Sequence, residues 1–134
     1  MALDYGKKRT GVAVTDPLQL IASGLSTVPT AELLPFLEKY LGQEDVACLV
    51  IGEPRRMDYT PSEVEPEIKA FITRLQERFP QLPVARQDER FTSKMAARAM
   101  VEGGMKKKKR QDKAAVDQIS ATLILQAYLS RKEP

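Results

Sequence analysis

Apolar residues in the chain fall largely in short runs that are separated by turn residues. Runs at residues 1–5, 10–15 and 21–28 each predict a strand. Strands this close together in sequence are expected to pair as an antiparallel meander. Residues 46–51 and 84–88 predict a fourth and a fifth strand. The fourth run is apolar throughout, which is typical of a strand covered by helices on both faces of its sheet.

Helical periodicity, with apolar residues three and four positions apart, fills most of the remaining chain. It predicts four helices, over residues 30–41, 66–79, 92–101 and 112–130. Pro35 is expected in the first turn of the first helix, where its missing N–H removes no hydrogen bond. Ser62 and Glu65 have the spacing of a capping box ahead of the second helix. Asp112 is a suitable N-cap for the last helix.

The order of these elements is three strands, a helix, a strand, a helix, a strand and two helices. This order predicts one α/β domain over residues 1–134. Its central sheet is expected to be mixed and five-stranded, because a three-strand meander would be joined by strands that arrive through parallel crossovers. Helices are expected to flank this sheet.

The composition removes several classes of function. The chain is 43% hydrophobic and 29% charged, as ordinary globular proteins are. It has no run near the roughly 18–20 apolar residues of a membrane span and no secretory signal, so we expect a cytoplasmic protein. It contains no histidine, which excludes Ser-His-Asp triads and histidine-ligated zinc. Its one cysteine, Cys48, lies in the fourth apolar run and is interpreted as a small buried hydrophobe.

Positive charge is concentrated in one block, although the net charge is only +3. Residues 105–113 contain six cations and one anion. The consecutive cations of this block are Lys106, Lys107, Lys108, Lys109 and Arg110. Such a block is often only a solvated loop. Because it lies between two predicted helices, it is equally well interpreted as an anchored contact for nucleic-acid phosphates.

Two aspartates occupy positions where a charge is unexpected. Asp4 ends the first apolar strand, and functional groups collect at the strand ends of such sheets. Asp117 shares a helical stripe with Ala121, Ile124 and Tyr128. A carboxylate on an apolar stripe is unfavourable unless it is paired, capped or bound to metal. The structural alternatives are that Asp4 starts a turn and that Asp117 benefits from the helix dipole.

Further charged residues follow the predicted strands. Glu53 follows the fourth strand, and Glu89 with Arg90 follows the fifth. Each is a weak signal alone, but these acids could converge on Asp4 if the strand ends open on one edge. The cations Lys7, Lys8 and Arg9 come shortly after Asp4 and would attract a polyanion.

Together these motifs make the chain similar to the YqgF (RuvX) family. The matching segments are residues 4–16 (DYGKKRTGVAVTD), 50–54 (VIGEP), 88–93 (DERFTS), and Asp117 with residues 123–129 (LILQAYL). They occur in order and cover essentially the whole chain. Two departures stand out: family members usually have several more residues before the first strand, and an apolar residue where Glu53 stands here.

The resemblance implies an RNase H-like fold and a nuclease. The family has been discussed both as a Holliday junction resolvase and as the nuclease that matures the 5′ end of pre-16S ribosomal RNA. It also implies that Glu89 is the second acid of the site, so the expected catalytic and metal-binding set is Asp4, Glu89 and Asp117. Glu53 stays a possible additional ligand.

Such a set of carboxylates suits phosphodiester hydrolysis. Their hard oxygen ligands prefer Mg²⁺ or Mn²⁺, and two such ions can activate water and stabilise the leaving oxygen. The resemblance implies that the partner is structured RNA or branched DNA, which the basic residues given above are expected to bind. The sequence distinguishes neither RNA from DNA nor a monomer from a homodimer.

Two other classes of function were weighed. A non-catalytic nucleic-acid-binding module would use the basic block but would need neither Asp4 nor Asp117. An ATPase or phosphotransferase is disfavoured, because folds of that kind clasp the nucleotide between two domains and 134 residues cannot supply both.

Overall fold

A five-stranded mixed sheet forms the centre of the computed structural model, which describes residues 1–54, 62–89 and 113–132. The strands are β1 (Ala2–Asp4), β2 (Arg9–Thr15), β3 (Ala22–Pro29), β4 (Leu49–Glu53) and β5 (Val84–Asp88). Their order across the sheet is β3-β2-β1-β4-β5. The first three strands are antiparallel neighbours, and β4 runs parallel to both β1 and β5. This confirms the predicted meander, the parallel crossovers and the RNase H-like topology.

Helices cover both faces of the sheet. A 3₁₀ turn (Thr30–Glu32) leads into α1 (Leu33–Gln43), and α2 (Glu65–Arg78) lies between β4 and β5 in sequence. The last described helix is α3 (Lys113–Lys132). The helix predicted over residues 92–101, the capping role of Asp112 and the basic block all lie outside the described residues. None of the helices that the structure describes is long and apolar enough to cross a membrane.

Strand alternation divides the core into two clusters. Leu3 and Val12 pack with apolar residues of α1 and α2 on one face of the sheet. On the other face, Ala2 and Ala13 pack with Ile124 and its neighbours on α3. Neighbouring strand residues point to opposite faces, so small residues lie under α3 and allow this helix to approach the sheet closely. Cys48 is half-buried at the edge of the α3 cluster.

Gly11 is a point of close approach between α3 and the sheet. It is the cross-strand partner of Asp4, and a Cβ added to it would overlap the main-chain carbonyl oxygen of Asp117. The obstacle is helix backbone, which cannot rotate away as a side-chain end could. The absence of a side chain at Gly11 therefore fixes how close Asp117 comes to Asp4.

We expect Gly11→Ala to lower the free energy of unfolding by about 1–3 kcal/mol, the usual cost of overpacking. Gly42→Ala is the matched control, since Gly42 is exposed on α1 and an added Cβ meets nothing within 4 Å. That control should be neutral or gain up to about 1 kcal/mol, because alanine favours helix. Urea unfolding of both variants tests this, and equal stabilities would show that α3 can move away at no cost.

The predicted capping box ahead of α2 is wrong. The N-cap residue of α2 is Val64, and no side chain caps the helix. Glu65 instead binds Arg86 of β5, with Oε1–Nη2 and Oε2–Nη1 distances of 2.7 and 3.2 Å. A charged, bidentate partner is stronger than the backbone N–H that a capping box offers, so the long-range pair replaces the local motif.

Two predicted boundaries also shift. The fourth strand begins at Leu49 rather than at residue 46, because pairing with β5 starts where Leu49 faces Val84. The first helix begins as the 3₁₀ turn at Thr30 and continues to Gln43. Pro35 lies in the first turn of α1, as predicted.

Candidate active site

Asp4 lies at the carboxyl end of the central strand. Alternation in β1 places its Cβ on the face covered by α3, as it does for Ala2. Burial and, to a smaller extent, the negative charge of Asp117 together raise the pKa of its carboxyl group from 3.8 to about 7. A buried acid with another acid beside it is unstable as an anion unless a cation is supplied.

Asp117 approaches Asp4 from the helix side. The stripe predicted for α3 is confirmed, because Ala121 and Ile124 are fully buried against the sheet. The first turn of α3 is fixed by Thr27 of β3, whose hydroxyl donates to the carbonyl oxygen of Ala114 at 2.7 Å. The Asp117 carboxylate accepts a hydrogen bond from Arg9 Nε at 2.5 Å.

Glu89 follows β5 and approaches Asp4 from the side of β1 opposite to β2. Its backbone N–H donates to the carbonyl oxygen of Glu53 at 3.2 Å, which continues the β4–β5 pairing by one residue. The Glu89 carboxylate lies over Gly52, where an added Cβ would overlap its Oε2. Burial and, to a smaller extent, the negative charge of Asp4 together raise the pKa of Glu89 from 4.5 to about 8.

Asp4 thus links the three predicted acids, with electrostatic coupling to Asp117 and to Glu89. Among the described parts of the chain, no three acid or cysteine side chains converge tightly enough to hold one ion as they stand. Asp117 is paired with Arg9, and the half-buried Asp4 raises the pKa of the half-buried Glu89 by charge repulsion. This donor set fits a hard divalent cation, since such an ion would offset both the burial and the repulsion that disfavour the charged acids.

The position of Glu53 separates it from this group. Gly52 lies on the face covered by α3, where an added Cβ would also meet Ile124. Alternation therefore directs the Cβ of Glu53, the next residue of β4, to the opposite face. Asp4 and Glu53 end neighbouring strands but point to different sides of the sheet.

The basic residues predicted to contact nucleic acid have different surroundings. Lys7 and Lys8 are exposed in the turn between β1 and β2. Arg9 is only partly exposed and is held by Asp117. Arg90 and residues 106–110 lie outside the described residues.

Sequence reasoning missed the group that supports Glu89. Arg86 of β5 donates from Nε to the carbonyl oxygen of Ile51 at 3.2 Å, and from Nη2 to that of Gly52 at 2.9 Å. The same guanidinium binds Glu65, which is 5% exposed. Arg86 therefore joins α2, β4 and β5 on the face of the sheet opposite to the carboxylate of Glu89, and its charge lowers the pKa of Glu89. No sequence signal reveals this set, because its members match no local motif.

The raised pKa values predict how metal-free stability depends on pH. Asp4 and Glu89 titrate near 7 and 8 in the folded protein, against ordinary values of 3.8 and 4.5. Between about pH 4 and 8 the folded state therefore binds more protons than the unfolded state, so stability falls as pH rises through this range. Thermal melting in EDTA should show this fall, and excess Mg²⁺ should restore more stability at about pH 8 than at about pH 5. An Mg²⁺ effect of the same size at both pH values would contradict it.

Comparisons with known proteins identify the family of this chain. A family model described as "RuvX: Holliday junction resolvase" matches residues 1–131. The chain is 60% identical over 129 residues to a protein of Christiangramia forsetii, a match that covers 96% of each chain. It is 56% identical over 132 residues to a protein of Bacteroides thetaiotaomicron, covering 98% of this chain and 96% of that relative. Both relatives are named "Putative pre-16S rRNA nuclease".

Proposed function

This chain belongs to the RuvX family, and from that membership and its buried acids we propose that it is a metal-dependent nuclease acting on structured nucleic acid. The observation that carries the proposal is the closeness of Asp4 and Glu89. These half-buried acids come from the ends of β1 and β5, and the charge of Asp4 raises the pKa of Glu89. Such repulsion destabilises a fold, so its presence at a strand end favours a role in binding a cation.

Asp4 and Glu89 would hold Mg²⁺ or Mn²⁺, with Asp117 as the third acid. When bound, the metal supplies activation of water and neutralisation of charge on the leaving oxygen. The protein contributes the fixed positions of the acids. Gly11 admits α3, Gly52 leaves room for Glu89, and Arg86 holds the strand ends. The exposed Lys7 and Lys8 would attract the phosphate backbone.

We propose precursor 16S ribosomal RNA, cut at its 5′ end, as the substrate. The names of the relatives support this choice. A four-way DNA junction is the second candidate, which the description of the family model favours. Both kinds of nucleic acid occur in the bacterial cytoplasm, where we expect the protein to act.

A side-by-side cleavage assay tests the proposal. The purified protein is incubated with a precursor 16S fragment and with a four-way junction of matched length, each with Mg²⁺, Mn²⁺ or EDTA. We expect metal-dependent cuts at the 5′ boundary of the mature RNA. Preferential cutting of the junction would replace the RNA assignment. Binding of both without any cleavage would support the non-catalytic module instead.

The second metal ligand is tested by comparing two glutamates. We expect Glu89→Gln to weaken Mn²⁺ binding and cleavage strongly, and Glu53→Gln to change both by less than about 2-fold, since Glu53 is on the other face of the sheet. Titration calorimetry with Mn²⁺ measures the first effect independently of activity. Equal losses of Mn²⁺ binding and cleavage in the two variants would indicate four acids in the site. A loss confined to Glu53→Gln would show that the second ligand is Glu53 of β4 and not Glu89.

A further inference from the structure

Arg9 and Asp4 lie on either side of Asp117. Arg9 and Gly11 are two positions apart in β2 and therefore share the face covered by α3. Asp4 is the cross-strand partner of Gly11, and the backbone of Asp117 lies directly over Gly11. Asp117 is therefore within reach of a cation on one side and of a buried acid on the other.

The contact between Arg9 and Asp117 is close but not enclosed. Arg9 Nε lies 2.5 Å from Asp117 Oδ2, and the side chains are 36% and 18% exposed. The guanidinium thus neutralises the acid while about a third of the Arg9 side chain still faces solvent. An arginine in such a place can exchange partners, because its planar fork binds carboxylate and phosphate with similar geometry.

We propose that Arg9 is an internal counter-ion that occupies Asp117 until nucleic acid binds, then moves to a backbone phosphate and releases Asp117 to the metal. This rests on the proposed function, since it assumes that Asp117 joins Asp4 and Glu89 around an ion. Before substrate binds, the ion must compete with Arg9 for Asp117. After the exchange, metal and nucleic acid strengthen each other's binding, because such coupling is reciprocal.

The test measures Mn²⁺ affinity by calorimetry in the absence of nucleic acid. We expect Arg9→Ala and Arg9→Gln to bind Mn²⁺ about 5- to 10-fold more tightly than wild type. In these variants the metal no longer has to break the partly screened, charged hydrogen bond between Arg9 and Asp117, and the fold-change corresponds to the free energy of that bond. Lys8→Ala is the control, because it removes an equal charge from the neighbouring residue, and Lys8 is exposed in the turn before β2. Its effect should be smaller than 2-fold, as expected for a solvent-screened charge.

A second readout follows the released guanidinium. If Arg9 contacts phosphate, its removal should flatten the slope of log affinity against log salt by about 0.9 for duplex nucleic acid. An untouched slope would overturn the proposed move to phosphate. This measurement can be made in EDTA and does not require cleavage.

The outcomes separate this inference from the function on which it rests. Weaker Mn²⁺ binding in both Arg9 variants would show that Arg9 orients Asp117 for the metal, and would overturn the inference. An affinity equal to that of Lys8→Ala would overturn it as well. Neither result would affect the nuclease assignment. If the wild-type protein bound no Mn²⁺, that result would contradict both the proposed metal site and the proposed role of Arg9.

Discussion

Asp4→Asn is expected to abolish cleavage while making the metal-free protein more stable. Asparagine keeps the shape of the side chain but removes the charge, so the loss of rate should be at least about 10²–10³-fold, as for other groups that stabilise transition-state charge. The carboxyl group of Asp4 has a pKa of about 7 rather than 3.8. Its ionisation at about pH 8 therefore opposes folding, and its removal should add on the order of 1–3 kcal/mol.

Both effects can be measured on one preparation. Single-turnover cleavage gives the rate, and urea unfolding at about pH 8 in EDTA gives the stability. Glu53→Gln is the matched control, since it neutralises an acid at the end of the neighbouring strand but on the other face of the sheet. A variant of Asp4 that cleaves at the wild-type rate, or that is less stable than wild type, would contradict the assignment.

Arg86→Met is expected to cause the largest loss of stability, about 3–5 kcal/mol, as when one partner of a buried ion pair is removed. Glu65 is 5% exposed and would be left as an uncompensated buried charge. The carbonyl groups of Ile51 and Gly52 would also lose their donor. Because Gly52 lies under Glu89, the variant should also bind Mn²⁺ more weakly.

The control for this variant is Arg78→Met on the surface of α2. Arg78 pairs with Glu38, but these side chains are 56% and 38% exposed, so its loss should cost less than about 1 kcal/mol. The double variant Glu65→Met/Arg86→Met should recover much of the stability lost by Arg86→Met, since no buried charge remains. Equal losses of stability in Arg78→Met and Arg86→Met would show that the contacts of Arg86 with Glu65, Ile51 and Gly52 contribute no more than a surface ion pair.

The sequence was sufficient for features that depend on local pattern. Strand β5 has the predicted bounds, and the apolar stripe of α3 carries Asp117 on its buried side. Asp4, placed by its position at a strand end, lies beside the other two acids. These predictions hold because alternation and helical periodicity are imposed by the same burial that forms the core.

The sequence was insufficient where two distant residues compete for one group. Glu65 was assigned to a cap, but Arg86, 21 residues away, binds it instead. The sequence placed Arg9 among the phosphate contacts, but it did not reveal that Arg9 also binds Asp117, 108 residues away. Glu53 and Glu89 look alike as strand-end acids, and only the direction of each side chain separates them. Such outcomes depend on tertiary pairing, which no local pattern contains.

The wide separation of Arg9 and Asp117 along the chain has a consequence for when activity arises. Strand β1 and its neighbours are made early in translation, whereas α3, which covers them, is made after β5. A nascent chain that ends before α3 therefore contains Asp4 without Asp117. The proposed metal site can be completed only after most of the chain has been made.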